Sequence, residues 1–182
     1  MFELGTLALG QSTLREAAAP FLHTLHEVTH LTANLAVREG HEIVYLEKIS
    51  ARDLRVPHTR LGGRGTLHAT ALGKAILAFS PDRAELKALA PTLVALTRHT
   101  HTDPRLLAQE LLRVRRERVA YDVEESREGL FCVAAPILDK REHALGAISV
   151  TGATALIQAQ QVAPTVILMA LALTRALNAP PG

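Results

Sequence analysis

Two hydrophobic periods run through this chain, and the places where one gives way to the other mark its elements. Leu14, Ala18, Phe21, Leu25 and Val28 recur every three or four residues, which predicts an amphipathic helix. Thr13-Leu14-Arg15-Glu16 fits a capping box at its start, with Thr13 as N-cap and Glu16 reaching back. Met1–Gly10 reads as a short apolar connection ahead of it. Period two then takes over. Leu31–Arg38 and Glu42–Ile49 have strand character around Glu39-Gly40-His41, a hairpin turn. Leu54–Arg60 reads as another strand and Gly62-Gly63-Arg64-Gly65 as a flexible loop.

Helical spacing returns after that loop. Thr70 caps a helix whose Leu72, Ala75, Ile76 and Phe79 share a face. Ser80-Pro81 and Asp103-Pro104 each open a further helix with proline at its first position, the second carrying the stripe Leu107, Leu111, Val114. Three strand-like runs follow, Val119–Val123, Leu130–Leu138 and Ala144–Thr151, the last two joined by the turn Asp139-Lys140-Arg141-Glu142. A final helix over Leu156–Leu177 has an apolar surface broad enough for burial in the core or against another subunit. Strands in meander-like groups with helices segregated between them predict an α+β fold on a mostly antiparallel sheet.

Composition narrows the class. With 182 residues, 48% hydrophobic and 21% charged, one globular domain with a real core is expected. A single cysteine excludes an internal disulfide or a multi-cysteine zinc site and makes a reducing cytoplasm the expected compartment. MFELGTLALGQS has no basic leader and carries Glu3, so no signal peptide is expected. The apolar run Thr165–Thr174 is about half the ~20 residues a membrane span needs. A pI near 9.0 conceals a formal charge of only +2. The cluster Arg113, Arg115, Arg116 and Arg118 is interleaved with Glu110 and Glu117, the pattern of a solvated helix face. Aromatics at 3% supply no stacking platform and no DNA-reading motif is present, so these residues by themselves are not expected to bind DNA.

Candidate chemistry gathers on the late strands. Ser149 and Thr151 alternate with Ile148 and Val150, so both hydroxyls share one face. Cys132 shares a face with Leu130 and Ala134, and Asp122 lies just upstream. If the strands are neighbours, these groups converge on a small pocket of the kind that holds a small molecule. The helix start after Thr70, where Ala71, Leu72 and Gly73 let an anion approach the backbone, is suited to a carboxylate or phosphate. His26-Glu27-Val28-Thr29-His30 matches a zinc-hydrolase pattern, with two metal-binding histidines and a glutamate base. That reading needs a continuous helix with a third ligand beyond, and here the helix is expected to end inside the motif. His99-Thr100-His101-Thr102 reads as a polar loop. Cys132 as a nucleophile would need a histidine partner, which no pattern identifies.

LHATALGKAILA, Tyr121-Asp122-Val123-Glu124-Glu125, Gly129–Ile137 and Ala147–Gly152, in this order and spacing, resemble the effector-binding domain of IclR-type bacterial transcriptional regulators. The likeness extends to FELGTLALG, the helix through Ala19-Pro20 and the strand Leu31–Val37, and so covers essentially the whole chain. It implies a GAF-like fold that binds a small effector, has no catalytic role, and assembles as dimers or tetramers. Such regulators carry a winged helix-turn-helix ahead of this domain, so DNA contact would belong to that absent part, with residues 1–12 as the end of a linker. The resemblance implies an organic-acid effector held by the amides of Ala71 and Leu72, by Asp122, Cys132, Ser149 and Thr151, and by Leu130 as an apolar wall. Leu72 and Thr151 are bulkier than is common in binders of the smallest keto acids, and His30 replaces a typical helix-ending glycine. A carboxylate at Asp122 beside an anionic ligand raises a variant in which Asp122 and Cys132 help ligate zinc.

Overall fold

A computed structural model describes residues 2–50, 60–81, 89, 91, 93–154 and 159–180. The described elements are α1 (Phe2–Thr29), β1 (Thr32–Glu39), β2 (Glu42–Ile49), β3 (Arg64–Thr66), α2 (Ala71–Leu77), α3 (Pro104–Glu117), β4 (Ala120–Val123), β5 (Leu130–Leu138), β6 (Ala144–Ala153) and α4 (Ala159–Asn178). The strands form one six-stranded sheet in the order β3-β2-β1-β6-β5-β4. Every pairing is antiparallel. The fold is α+β, as the patterning predicts.

Strand alternation divides the core in two. Ala33, Leu35, Phe131, Val133, Ile148 and Val150 point to one face and pack with Leu14, Leu22 and Leu25 of α1 and Val166 and Leu173 of α4. Ala36, Cys132, Ala134 and Ala147 point to the other, against Leu72, Ala75 and Ile76 of α2 and Leu107 and Val114 of α3. The sheet is thus covered by helices on both faces, and polar residues at the α2 end of the second core are what the fold sets aside.

The turns follow the sequence. Gly40, at φ +63°, lets β1 and β2 pair from Glu39–Glu42 upward. Asp139 accepts from the amides of Arg141 and His143, both at 2.8 Å, and closes the β5–β6 hairpin. Asp103 caps α3 by accepting from Arg105 N at 2.8 Å.

Three expectations are corrected. Thr13 is not an N-cap, because α1 is already helical from Phe2. The stretch before Thr13 has no proline to stop it, and Glu16 takes its bond from Ser12 Oγ, 3.1 Å away. The inward stripe of α1 is Leu14, Ala18, Leu22 and Leu25, whereas Phe21 sits half-buried beside it and Val28 is 60% exposed. Gly62–Gly65 is not wholly loop, since Arg64 and Gly65 pair with Val44 and Ile43 and extend the sheet edge. The bare Cα of Gly65 permits this, because a Cβ there would lie 3.1 Å from Ile43 Cγ1. The last helix, α4, buries one face through Ala163, Val166, Ala170 and Leu173 and leaves Leu168 exposed on the other. The expected strand at 54–60 lies outside the described residues apart from Arg60, and the helix expected from Ser80-Pro81 lies outside them beyond Pro81.

Candidate functional site

Register builds a polar row straight across the sheet. Asp122 on β4 faces Cys132 on β5, Cys132 faces Thr151 on β6, and Thr151 faces Thr32 on β1. All four point to the α2 side and line a cavity of about 350 Å³, together with Tyr45, Thr70, Leu72 and Leu130. Exposed Arg64 and Arg127 and half-buried Lys48 also contribute to the lining. Of the residues singled out in the sequence, Leu72, Asp122, Leu130, Cys132 and Thr151 share this cavity. Ala71 and Ser149 are fully buried behind it. Ser149 belongs to the next row, Ala120–Ala134–Ser149–Asn34, one step further into the core.

The row's chemical state follows from its surroundings. Asp122 is 1% exposed, and its Oδ1 accepts from Glu125 N at 2.8 Å and Ser126 N at 3.1 Å. Oδ2 accepts from the Ser126 hydroxyl. Its carboxylate therefore folds its own turn over the cavity instead of reaching out into it. Burial raises its pKa against the pull of these bonds. Burial, then the neighbouring Asp122, pushes the Cys132 thiol up to about 12. Thr151 donates to Cys132 Sγ at 3.1 Å, a bond that pulls the thiol down against the larger effect of burial. Burial likewise keeps the Tyr45 phenol protonated. Asn34, with no exposure, donates from Nδ2 to Ser149 Oγ and Thr151 Oγ1, each at 3.3 Å. It fixes the Thr151 hydroxyl from behind.

The α2 wall is set by Thr70. Its Oγ1 donates to Thr66 O at 2.7 Å and accepts from Gly73 N at 3.0 Å, tying β3 to the helix start. Gly73 allows the contact, because a Cβ there would come within 2.5 Å of both Leu67 Cα and Leu67 O. Behind α2 lies an ionic cluster. Lys74, with no side-chain exposure, bonds Glu110 at 2.8 Å and Glu125 at 2.5 Å. Burial, then the adjacent Glu110 and Asp122, pushes Glu125 up to about 7 against the pull of Lys74.

Sequence reasoning missed Thr32, Asn34, Tyr45, Ser126 and the Lys74 cluster. Two signals were present: an asparagine inside the apolar run of β1 and a lysine inside LHATALGKAILA. The histidine pattern is not assembled as a metal centre. α1 ends at Thr29, His30 takes φ +56°, and His26 Nδ1 is bonded to Leu31 O at 2.8 Å. Asp122 and Cys132 face each other, but among the described residues no third histidine, cysteine or carboxylate joins them.

Residues 6–178 match the family described as bacterial transcriptional regulator IclR, C-terminal. The chain belongs to the IclR family, as a C-terminal domain of that type. It is 36% identical over 155 residues to the HTH-type transcriptional regulator BhcR of Paracoccus denitrificans, covering 84% of this chain and 55% of BhcR. The IclR-type domain thus spans little more than half the length of that relative. The crystal structure of Thermotoga maritima IclR superposes with a TM-score of 0.87 at 30% identity, over 98% of this chain and 74% of that one. The inducer-binding domain of a double mutant of PobR from Acinetobacter, in complex with 3-hydroxybenzoic acid, gives 0.78 at 28% identity, over 87% of this chain and 96% of that one. As in relatives named for transcriptional regulation, this IclR-type domain is regulatory and not enzymatic.

Proposed function

We propose that this domain senses a small organic acid in the cavity bounded by Asp122, Cys132, Thr151, Thr32 and the start of α2. The carrying observation is the cross-sheet polar row, opening beside Leu72 and Thr70 in a space of about 350 Å³. The ligand carboxylate meets the start of α2 beside Leu72, with Arg127 and Lys48 at the rim, where Arg64 is already paired with Glu39 and Glu42. Thr32, Thr151 and Tyr45 read its hydroxyl or keto groups, and Leu130 and Leu72 pack its carbon skeleton. The PobR complex supports this reading, since a related domain holds a hydroxylated aromatic acid. Because Asp122 is engaged by Glu125 and Ser126, an anionic ligand does not confront an unshielded carboxylate. Zinc at Asp122 and Cys132 is the less favoured variant, as among the described residues no third histidine, cysteine or carboxylate joins them.

The domain also self-associates, as a dimer or tetramer, in this reading. The apolar outer side of α4, with Leu168 59% exposed, supports it. Effector binding then shifts subunit arrangement and, in the cytoplasm, the spacing of DNA-reading heads lying outside this chain. A thermal-shift screen of keto acids, sugar acids and hydroxybenzoates, with and without chelator, tests the sensor. A ligand at a hundred times its Kd adds about 2.7 kcal/mol to stability. The expected result is a chelator-insensitive shift with one acid class that is lost in Thr151→Val. No shift with any acid overturns the reading.

A further inference from the structure

Outside the effector cavity, His101, Glu110 and Glu125 each bring one ligand atom within 4.8 Å of the other two. Glu110 projects from α3, His101 from the loop before it, and Glu125 from the turn after β4. Glu110 and Glu125 use one carboxylate oxygen each on Lys74, both Oε1. Their Oε2 atoms are buried and have no hydrogen-bond partner among the described residues. A buried carboxylate oxygen without a donor is costly, and the whole Glu125 residue is only 5% exposed. The imidazole Nε2 of His101 lies 3.8 Å from Glu110 Oε2, close to the spacing of two ligands on one tetrahedral ion. The three groups border an open groove of about 560 Å³, so an ion has a way in.

We propose that His101, Glu110 and Glu125 form a binding site for a divalent transition-metal ion, zinc foremost, separate from the effector cavity. One imidazole and two carboxylates suit such an ion, and an open position faces the groove. Lys74 acts as an outer-shell group: by holding Oε1 of both carboxylates it aims Oε2 of each at the ion. Arg113 Nη2 lies 3.5 Å from Glu110 Oε1, a long contact from a side chain 47% exposed that can swing into solvent when the ion enters. The site borders the effector cavity without sharing a ligand with it. Glu125 N donates to Asp122 in the cavity wall, and Lys74 stands on the same helix as Leu72. Occupancy therefore ties α3 and the 122–126 turn to the α2 wall.

The test titrates chelator-stripped protein with Zn²⁺ by calorimetry and with Co²⁺ by visible absorption, with no organic acid present. The expected result is one equivalent bound, with Co²⁺ ligand-field bands. Removing outer-shell groups alone costs about 10- to 100-fold in affinity, so His101→Ala is expected to weaken binding by about 100-fold or more. His101 is 43% exposed on its side chain, so this variant keeps the fold. Cys132→Ser is expected to bind the metal unchanged. Absence of stoichiometric binding, binding that survives His101→Ala, or binding abolished by Cys132→Ser overturns the proposal. The last outcome would place the ion in the effector cavity instead.

Discussion

Replacing Gly73 with alanine sets two opposing terms against each other at the hinge between β3 and α2. In an unobstructed helix interior the change stabilises by about 1 kcal/mol, because alanine loses less backbone entropy. At Gly73 the new methyl would stand 2.5 Å from Leu67 Cα and O and 2.7 Å from Thr66 O. These are backbone atoms, so no rotamer change relieves the overlap, and α2 must move away from β3 by about 1 Å to reach an ordinary contact. Overpacking of this kind costs about 1–3 kcal/mol, and a backbone obstacle on a wholly buried helix belongs at or beyond the upper end. The net expectation is a loss of about 2 kcal/mol or more, a Tm drop of about 4–8 °C for a chain of this size. Gly10→Ala is the internal control. Gly10 is also helical, has nothing among the described residues within 4 Å of its would-be Cβ, and is expected to gain up to about 1 kcal/mol. Urea unfolding followed by circular dichroism measures both. A Gly73→Ala protein as stable as the parent, or two variants shifted in the same direction, would refute the reasoning. Since Thr70 and Leu72 travel with α2, ligand affinity is expected to fall in Gly73→Ala and not in Gly10→Ala.

Lys74→Met removes the buried cation between Glu110 and Glu125 and leaves only the half-exposed Arg113 beside Glu110, and removing one partner of a buried ion pair costs about 3–5 kcal/mol. Urea midpoints at pH 7 in chelator check this, and a loss below about 1 kcal/mol would show that the cluster is far better solvated than its burial implies. Glu125 sets a pH slope. Its carboxyl is raised from about 4.5 to about 7, so between those values the folded chain holds the proton more tightly than the unfolded chain does. Its contribution to stability is complete below that window and declines as pH rises through it. Stability relative to Glu125→Gln is accordingly expected to fall from pH 4.5 to 8, and a flat difference would contradict the assignment. Cys132, buried and raised to about 12, is expected to stay unreactive toward a thiol reagent at pH 8 until urea unfolds the chain. Rapid labelling of the native protein would show that the cavity floor is open.

Local period determined a good deal by itself. A strand's alternation is a property of extended backbone, so Cys132 with Leu130, and Thr151 with Ser149, were placed on one face without any knowledge of neighbours. Proline and glycine positions, Asp103 before Pro104 and Gly40 in its hairpin, located turns and helix starts for the same local reason. Tertiary structure alone decided which rows meet. Thr151 and Ser149 are equivalent in the alternation, yet the first borders the cavity and the second is sealed behind it. The β1–β6 register brings Asn34 across from Ser149, whereas Thr151 lies across from Thr32 and lines the cavity with it. Thr13 shows the converse limit, because a capping signal in mid-helix is overridden when the preceding residues also sustain helix. The Lys74 cluster was beyond sequence reading, as its bonds span 36 and 51 residues. A buried lysine inside an apolar helix announces that some carboxylate must meet it, but only the packing of α2 against α3 and the 122–126 turn determines which one. Short-range geometry repeats with the backbone and is written in the pattern, whereas the choice among many distant partners is made by the collective packing of the whole chain.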